Sequence, residues 1–199
     1  ETMPAENTTH TALWSEGSAG FTVVFWYENA DDDGYSAAGT YTPADVSPGA
    51  TVSSGDYQNQ AFDGRDTEHF KYNADKAETV TVAGDGSTVL NVYFKRNTYT
   101  LTFQQWERKD WSYTIVKTIT AKYQQDIHTN FPIVDEDGET IWWTVPQGCK
   151  TYVPDNELGS IDIMPGENIT FTRAGSTDAT WLWYYVETLP GETADATYG

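Results

Sequence analysis

Apolar and polar residues alternate along most of this chain, the period-two pattern of strands that turn one face to a core. The clearest runs are Phe21–Glu28 (FTVVFWYE), Glu78–Phe94 (ETVTVAGDGSTVLNVYF), Asn97–Trp106 (NTYTLTFQQW), Tyr113–Ala121 (YTIVKTITA), Glu139–Val145 (ETIWWTV) and Ala179–Glu187 (ATWLWYYVE). All are rich in β-branched and aromatic residues, which suit a pleated, half-buried surface. Turn formers separate them. Ala83–Ser87 (AGDGS) reads as a hairpin turn between two alternating halves, because Asp-Gly supplies the positive φ a tight turn needs, and Glu136–Thr140 (EDGET) reads as a second. A helical period appears only briefly. Tyr123, Ile127 and Phe131 in Ala121–Pro132 (AKYQQDIHTNFP) recur every fourth residue, as on one helix face, and Pro132 stops the run. Ser54–Phe62 and Asp66–Tyr72 each offer an N-cap candidate and room for about two turns. The predicted class is α+β and β-rich, with one short helix beside each sheet of three or four strands.

The pattern occurs more than once. The chain's two methionines, Met3 and Met164, are each followed by Pro, a small residue, Glu and Asn (TMPAENTTHTALW from Thr2, IMPGENITFT from Ile163), and they stand 161 positions apart. Strand starts at Thr22, Tyr99 and Leu182 are separated by 77 and 83 residues, one small domain each. Val80–Arg96 and Ile161–Ala174 share the order of alternating strand, Gly-containing turn, alternating strand. The expected division is 1–18 as the closing strand of a preceding unit, 19–97 as a first unit, 98–187 as a second, Trp-rich unit, and 188–199 as the start of another or a linker. Glu1 opens in mid-element, so the chain is expected to be a monomeric piece of a longer array. In LNVYFKRNTYTLTF the last strand of one unit runs straight into the first of the next, which leaves little hinge.

Composition narrows the partners. Eleven Lys and Arg stand against 30 Asp and Glu, a net charge of −19, and so acidic a surface repels phosphate backbones and anionic lipid headgroups. Nucleic acid and membrane insertion are therefore not expected; no run of about 18 apolar residues could span a bilayer. The single Cys149 excludes an internal disulfide and a multi-cysteine zinc site, and cysteine scarcity suits an exported bacterial protein. Leu189–Thr193 (LPGET) fails as a Leu-Pro-any-Thr-Gly sorting signal, with Glu192 where Thr is required and Thr193 where Gly is required.

TMPAENTTHTALW, FTVVFWYENADDDGYS (Phe21–Ser36) and VAGDGSTVLNVYFKRNTYTLTF (Val82–Phe103) resemble the Listeria-Bacteroides type repeats of Gram-positive surface proteins, the B-repeat of internalin-like proteins. The similarity runs over nearly the whole chain and is most specific at the Met-Pro turn and in GDGSTVLNVYFKRNTYTLTF. The resemblance implies tandem β-grasp-like domains, in which a twisted sheet wraps one helix, on tall cell-wall proteins that carry adhesion or host-interaction regions. It brings no catalytic residue and no cofactor. Gln104–Tyr113 (QQWERKDWSY) and Ile141–Asn156 (IWWTVPQGCKTYVPDN) exceed a minimal repeat, and a unit-specific function is expected there.

Candidate chemistry is sparse. His10, His69 and His128 lie on a predicted strand and two predicted helices, and Cys149 in PQGCK has no His nearby in sequence, so no nucleophile has a positioned base and no enzyme is expected. ADDDGY (Ala30–Tyr35) and VDEDGE (Val134–Glu139) cluster carboxylates beside Gly, the hard-oxygen chemistry calcium prefers, but neither supplies a full twelve-residue loop, and solvated acidic turns are the simpler reading. Lys95, Lys117 and Asn91 could enter a Lys-to-Asn isopeptide bond, though no acid is placed beside them. The aromatics carry most interest. Trp106, Trp111, Trp142, Trp143, Trp181 and Trp183 are six of the chain's eight Trp and all fall in the second unit. Trp142 and Trp143 are adjacent on a predicted strand and must face opposite ways. Filling a thin core is one use for these rings; stacking on sugars or anchoring a protein is the other. Trp106, Trp111, Trp142 and Trp143 are the candidate ligand-binding residues, with no metal or cofactor. The expected role is an extracellular stalk and adhesion module, secreted or wall-attached; the alternatives are direct binding of a host glycan, mucin or protein, and an accessory region of a large surface enzyme.

Overall fold

The computed structural model describes residues 11, 17–107, 109–132, 138, 141–150, 157–158 and 161–174. Eleven strands lie within them: β1 Thr22–Glu28, β2 Tyr35–Tyr41, β3 Thr51–Ser53, β4 Phe70–Tyr72, β5 Thr79–Thr81, β6 Val89–Arg96, β7 Thr98–Glu107, β8 Ser112–Lys122, β9 Trp143–Thr144, β10 Glu157–Leu158 and β11 Ile169–Ala174. One sheet has the order β2-β1-β6-β4, a second β10-β9-β11-β7-β8, and β3 and β5 form a separate ladder. No membrane-crossing helix, long and apolar enough, occurs among the described residues.

The two larger sheets repeat one arrangement. β1 pairs antiparallel with β2 and parallel with β6, and β7 pairs antiparallel with β8 and parallel with β11. Val23 faces Leu90 and Phe25 faces Val92 in the first; Leu101 faces Ile169 and Phe103 faces Phe171 in the second. A β-bulge follows Phe25 in one hairpin and Phe103 in the other. An offset of 78 residues superposes β1 and its bulge on β7, one more than the 77 read from the sequence, and an offset of 79 superposes β6 on β11. One residue matters, because a slip of one exchanges the two faces of a strand. Each sheet has its own core: Phe21, Val23, Phe25, Leu90, Val92 and Phe94 centre the first, and Leu101, Phe103, Trp143, Met164, Ile169 and Phe171 the second.

The expected helix in each unit, and with it the β-grasp-like class, is overturned: the described residues hold only 3-10 turns, Ser54–Tyr57, Ala74–Lys76 and His128–Asn130. Physical reasons are local. Ala121 and Lys122 extend β8, and Gln124 then takes φ 63°, which breaks any regular continuation. The chain instead crosses to 162–164, with the Gln124 amide donating to Met164 O, the Met164 amide to Gln125 O and the Ile127 amide to Asp162 O, each at 2.8 Å. Tyr123 packs on the first core while Ile127 and Phe131 enter the second, so their spacing of four is not a shared face. Near Ser54 the cap is real: Ser53 and Asp56 form a capping box, yet the turn ends at Tyr57. Asp66 Oδ1 accepts from the Glu68 and His69 amides at 2.9 Å, but Phe70–Tyr72 joins β6 as a strand.

Ala83–Ser87 is a turn with Gly86 at φ 77°, as Asp-Gly suggests, but not a hairpin. The run before it pairs as β5 with β3, while the run after it pairs as β6 with β1 and β4. The turn at 136–140 lies outside the described residues except for Gly138, at φ 82°. Residues 2–10, in the closing strand expected of a preceding unit, and 179–187, the last strand expected within the second unit, also lie outside them.

Candidate functional site

Among the described residues, the tip of the β7–β8 hairpin and the junction between the two sheets each concentrate polar or aromatic chemistry. At the tip, Trp106 on β7 stands directly opposite Tyr113 on β8, and their rings meet edge-on at 4.9 Å. Trp111 meets Trp106 at 6.3 Å and 82° and is 77% exposed, held at φ 51° in the left-handed region. Period-two alternation puts Leu101 and Phe103 on the core face and Trp106 on the other, so the cluster is outside the core. The bulge adds to it: Gln104 faces Ile115 and Phe103 faces Lys117, so Val116 is the extra residue, and Ile115 and Val116 are both exposed. On the opposite face of the tip, Gln105 donates to Glu107 at 3.0 Å and accepts from Arg173 Nε at 2.9 Å.

Of the four candidate residues, the structure brings Trp106 and Trp111 together. Trp142 is 57% exposed. Trp143 is 0% exposed, edge-on to Phe103 at 4.9 Å and donating to Pro132 O at 2.9 Å, so it is a core residue. Trp181 and Trp183 lie outside the described residues. A second aromatic group escaped the sequence reading: Tyr93 meets both Trp26 and Tyr35 on the outer face of the first sheet, with Lys76 Nζ 5.1 Å and 5.3 Å from the Tyr35 and Tyr93 rings. Its signal was available in the alternation, since Trp26 and Tyr93 fall between the buried Phe25, Val92 and Phe94.

At the junction a single residue, Asn97, separates β6 from β7. Its amide donates to His69 O, its carbonyl accepts from the Tyr123 amide, and its side chain donates to Glu68 O. Arg96 spans both units, donating from Nε to Glu28 O at 2.6 Å and from one terminal nitrogen to Tyr123 O at 3.1 Å and Gln124 Oε1 at 2.9 Å. Its guanidinium also lies 4.8 Å from the Phe70 ring centre. Lys122 of β8 reaches Glu28 at 3.0 Å and the carbonyl of Asp32 at 2.9 Å. Burial alone would lower the Lys122 ammonium, but its hydrogen bond to Glu28 and the charges of Glu28 and Asp33 together raise it above the usual lysine range. His69 stacks on Tyr123 at 4.0 Å, beside a cleft of about 390 Å³ bordered by Lys150, Pro165 and Glu167.

The acidic loop 30–35 belongs to this junction. Asp32 accepts from Asn29 Nδ2 at 2.8 Å and the Gly34 amide at 2.6 Å, which hold its carboxyl below the usual carboxylate range. Asp31 accepts the Asp126 amide at 2.8 Å, and Asp33 lies 3.5 Å from Lys122. These carboxylates fold the loop onto the second unit rather than around one point, and the described residues hold no group of three or more His, Cys, Asp or Glu placed to bind a metal. The other candidates have separate partners: His128 meets Asp162 at 2.6 Å, Cys149 Sγ donates to Glu167 at 3.2 Å, Lys95 pairs with Asp75 at 2.6 Å, and Asn91 accepts from Trp26 Nε1 at 2.9 Å. His10 lies outside the described residues. No family model matches the chain, and no curated protein matches it.

Proposed function

We propose that this chain is a non-enzymatic extracellular module of a bacterial cell-surface protein, a stiff spacer of the kind that the Listeria-Bacteroides type resemblance implies. The observation that carries the reading is the junction: one arrangement of strands occurs twice, joined through Asn97 alone and cross-braced by Arg96 and Lys122. A linker with neither Gly nor Pro, bound at its amide, carbonyl and side chain, has little freedom to bend. Antibody raised against the chain should label intact cells of the encoding bacterium, and protease added to those cells should remove the signal. Label that appears only after lysis would sink the reading.

A second reading, direct binding of a host glycan, mucin or protein, is favoured by the exposed Trp111 and Tyr113 beside Trp106. Flat rings with polar edges suit sugar faces and protein anchors alike. A screen of the folded chain against immobilised glycans, mucins and immunoglobulins tests it, with Trp111→Ala as the informative variant. A saturable signal that Trp111→Ala leaves intact would exclude the hairpin tip.

A further inference from the structure

Tension along a backbone enters a folded unit at its first strand and leaves at its last, so the relation between those two strands decides how the unit yields. Among the described residues, the first and last strands of each unit are immediate neighbours and parallel: β1 with β6 from Thr22↔Val89 to Tyr27↔Phe94, and β7 with β11 from Leu101↔Ile169 to Trp106↔Ala174. Tension draws the first strand toward its N-terminal end and the last toward its C-terminal end. Because the two strands point the same way, these pulls act in opposite senses along one ladder and slide the strands past each other. The evenly spaced bonds of a parallel ladder then carry the load together. Drawing apart two ends that lie at the same edge of a ladder opens its bonds one after another.

Other features oppose sliding. Each loaded strand is paired on its far side too, β1 with β2, β6 with β4, β7 with β8 and β11 with β9, so no loaded strand is an edge strand. Side chains interlock across the ladders, with Phe103 stacked on Phe171 at 5.1 Å and Trp26 donating to Asn91 at 2.9 Å. Load leaving β6 at Arg96 enters β7 at Thr98 with one residue between. We propose that the chain bears tensile load, and that the parallel pairing of first and last strands in each unit is the element that resists it. The spacer reading supplies only the origin of the force.

Single-molecule pulling of the full chain tests this by direction. One molecule is held by tags at its two termini. A second is held at Gly20→Cys and Ser87→Cys, which sit at the same edge of the β1–β6 ladder on exposed backbone; both molecules carry Cys149→Ser. Pulling from the termini should require at least about twofold more force to open the first unit than pulling at 20 and 87, because the ladder is loaded in shear rather than peeled. Equal or lower force from the termini overturns the proposal. If the cysteine pair lowers the melting temperature, Gly17→Cys with Asp85→Cys gives the same peeling geometry on other exposed residues. The two readings fail separately: equal forces leave surface labelling of intact cells untouched, and absent labelling leaves the directional contrast standing.

Discussion

Arg96→Ala is the sharpest test of the junction. The substitution removes a guanidinium that donates to Glu28 O, Tyr123 O and Gln124 Oε1 and lies 4.8 Å from the Phe70 ring. Gln124 Oε1 is exposed and water replaces its partner, so that bond contributes little. The two part-buried carbonyls each lose a charged donor, at about 1 kcal/mol apiece after partial rehydration. Loss of the ring contact adds about 0.5–1 kcal/mol. Together these give a destabilisation of about 3 kcal/mol, which at a urea slope near ~2 kcal/mol/M moves the midpoint of unfolding down by about 1.5 M. Tryptophan fluorescence and far-UV circular dichroism in urea read that shift. Arg96→Lys should recover less than half of it, since an ammonium cannot fork between two carbonyls in fixed geometry. A midpoint that moves by less than about 0.3 M in Arg96→Ala would refute the claim that this side chain braces the two units.

The adjacent tryptophans should separate in the same assay: Trp143→Ala is expected to cost about 3–5 kcal/mol and Trp142→Ala within about 0.5 kcal/mol of nothing. Similar losses at both would mean that the burial contrast is wrong. At the acidic loop, Asp32 has a lowered folded pKa, so its contribution is present above the ordinary value of 3.8 and disappears as pH falls through the lowered one. Lys122 has a raised folded pKa, so its contribution is complete below the ordinary 10.5 and is lost as pH rises through the raised value. Amide exchange at Gly34 and Asp126 should therefore report a closed loop across neutral pH that opens at both extremes, and Asp32→Asn should abolish the acid limb; an acid limb that survives assigns it to another group. Gly39→Ala places a methyl 2.6 Å from the Phe62 ring, which already stacks on Phe25 at 4.2 Å, and the overpacking should cost about 1–3 kcal/mol by thermal unfolding. A neutral Gly39→Ala would show that Phe62 moves aside freely.

Much of the strand content was legible because it depends on neighbours in sequence: the alternation of Val23, Phe25 and Tyr27, or of Leu101 and Phe103, is a local property. Pairing was not. Leu90 meets Val23 across 67 residues, and nothing short of the fold says that the meeting is parallel or that β5 and β6 enter different ladders. The misread helix shows the limit of periodicity, since Tyr123, Ile127 and Phe131 are buried for different reasons, one by the first core and two by the second. Trp142 and Trp143 had to face opposite ways, but which one is inside depended on the Phe103 that Trp143 meets. Arg96 and Lys122 look like ordinary surface cations in KRN and TAK, and the acceptor residue they share, Glu28 at the end of β1, lies 68 and 94 residues away.

The continuity of β6 and β7 through Asn97 also sets a phase. Even-numbered residues are buried on β6 (Leu90, Val92, Phe94) and odd-numbered ones on β7 (Leu101, Phe103), so the parity of burial changes at the junction. Side chains alternate along an extended backbone, which places the two cores on opposite sides of the same running strand. In a tandem series with this junction, a surface feature present on every unit would not face the same side on neighbouring units. Valency seen from one direction is then smaller than the number of units, and a target reaching across one side would need a longer chain to meet the same number of sites.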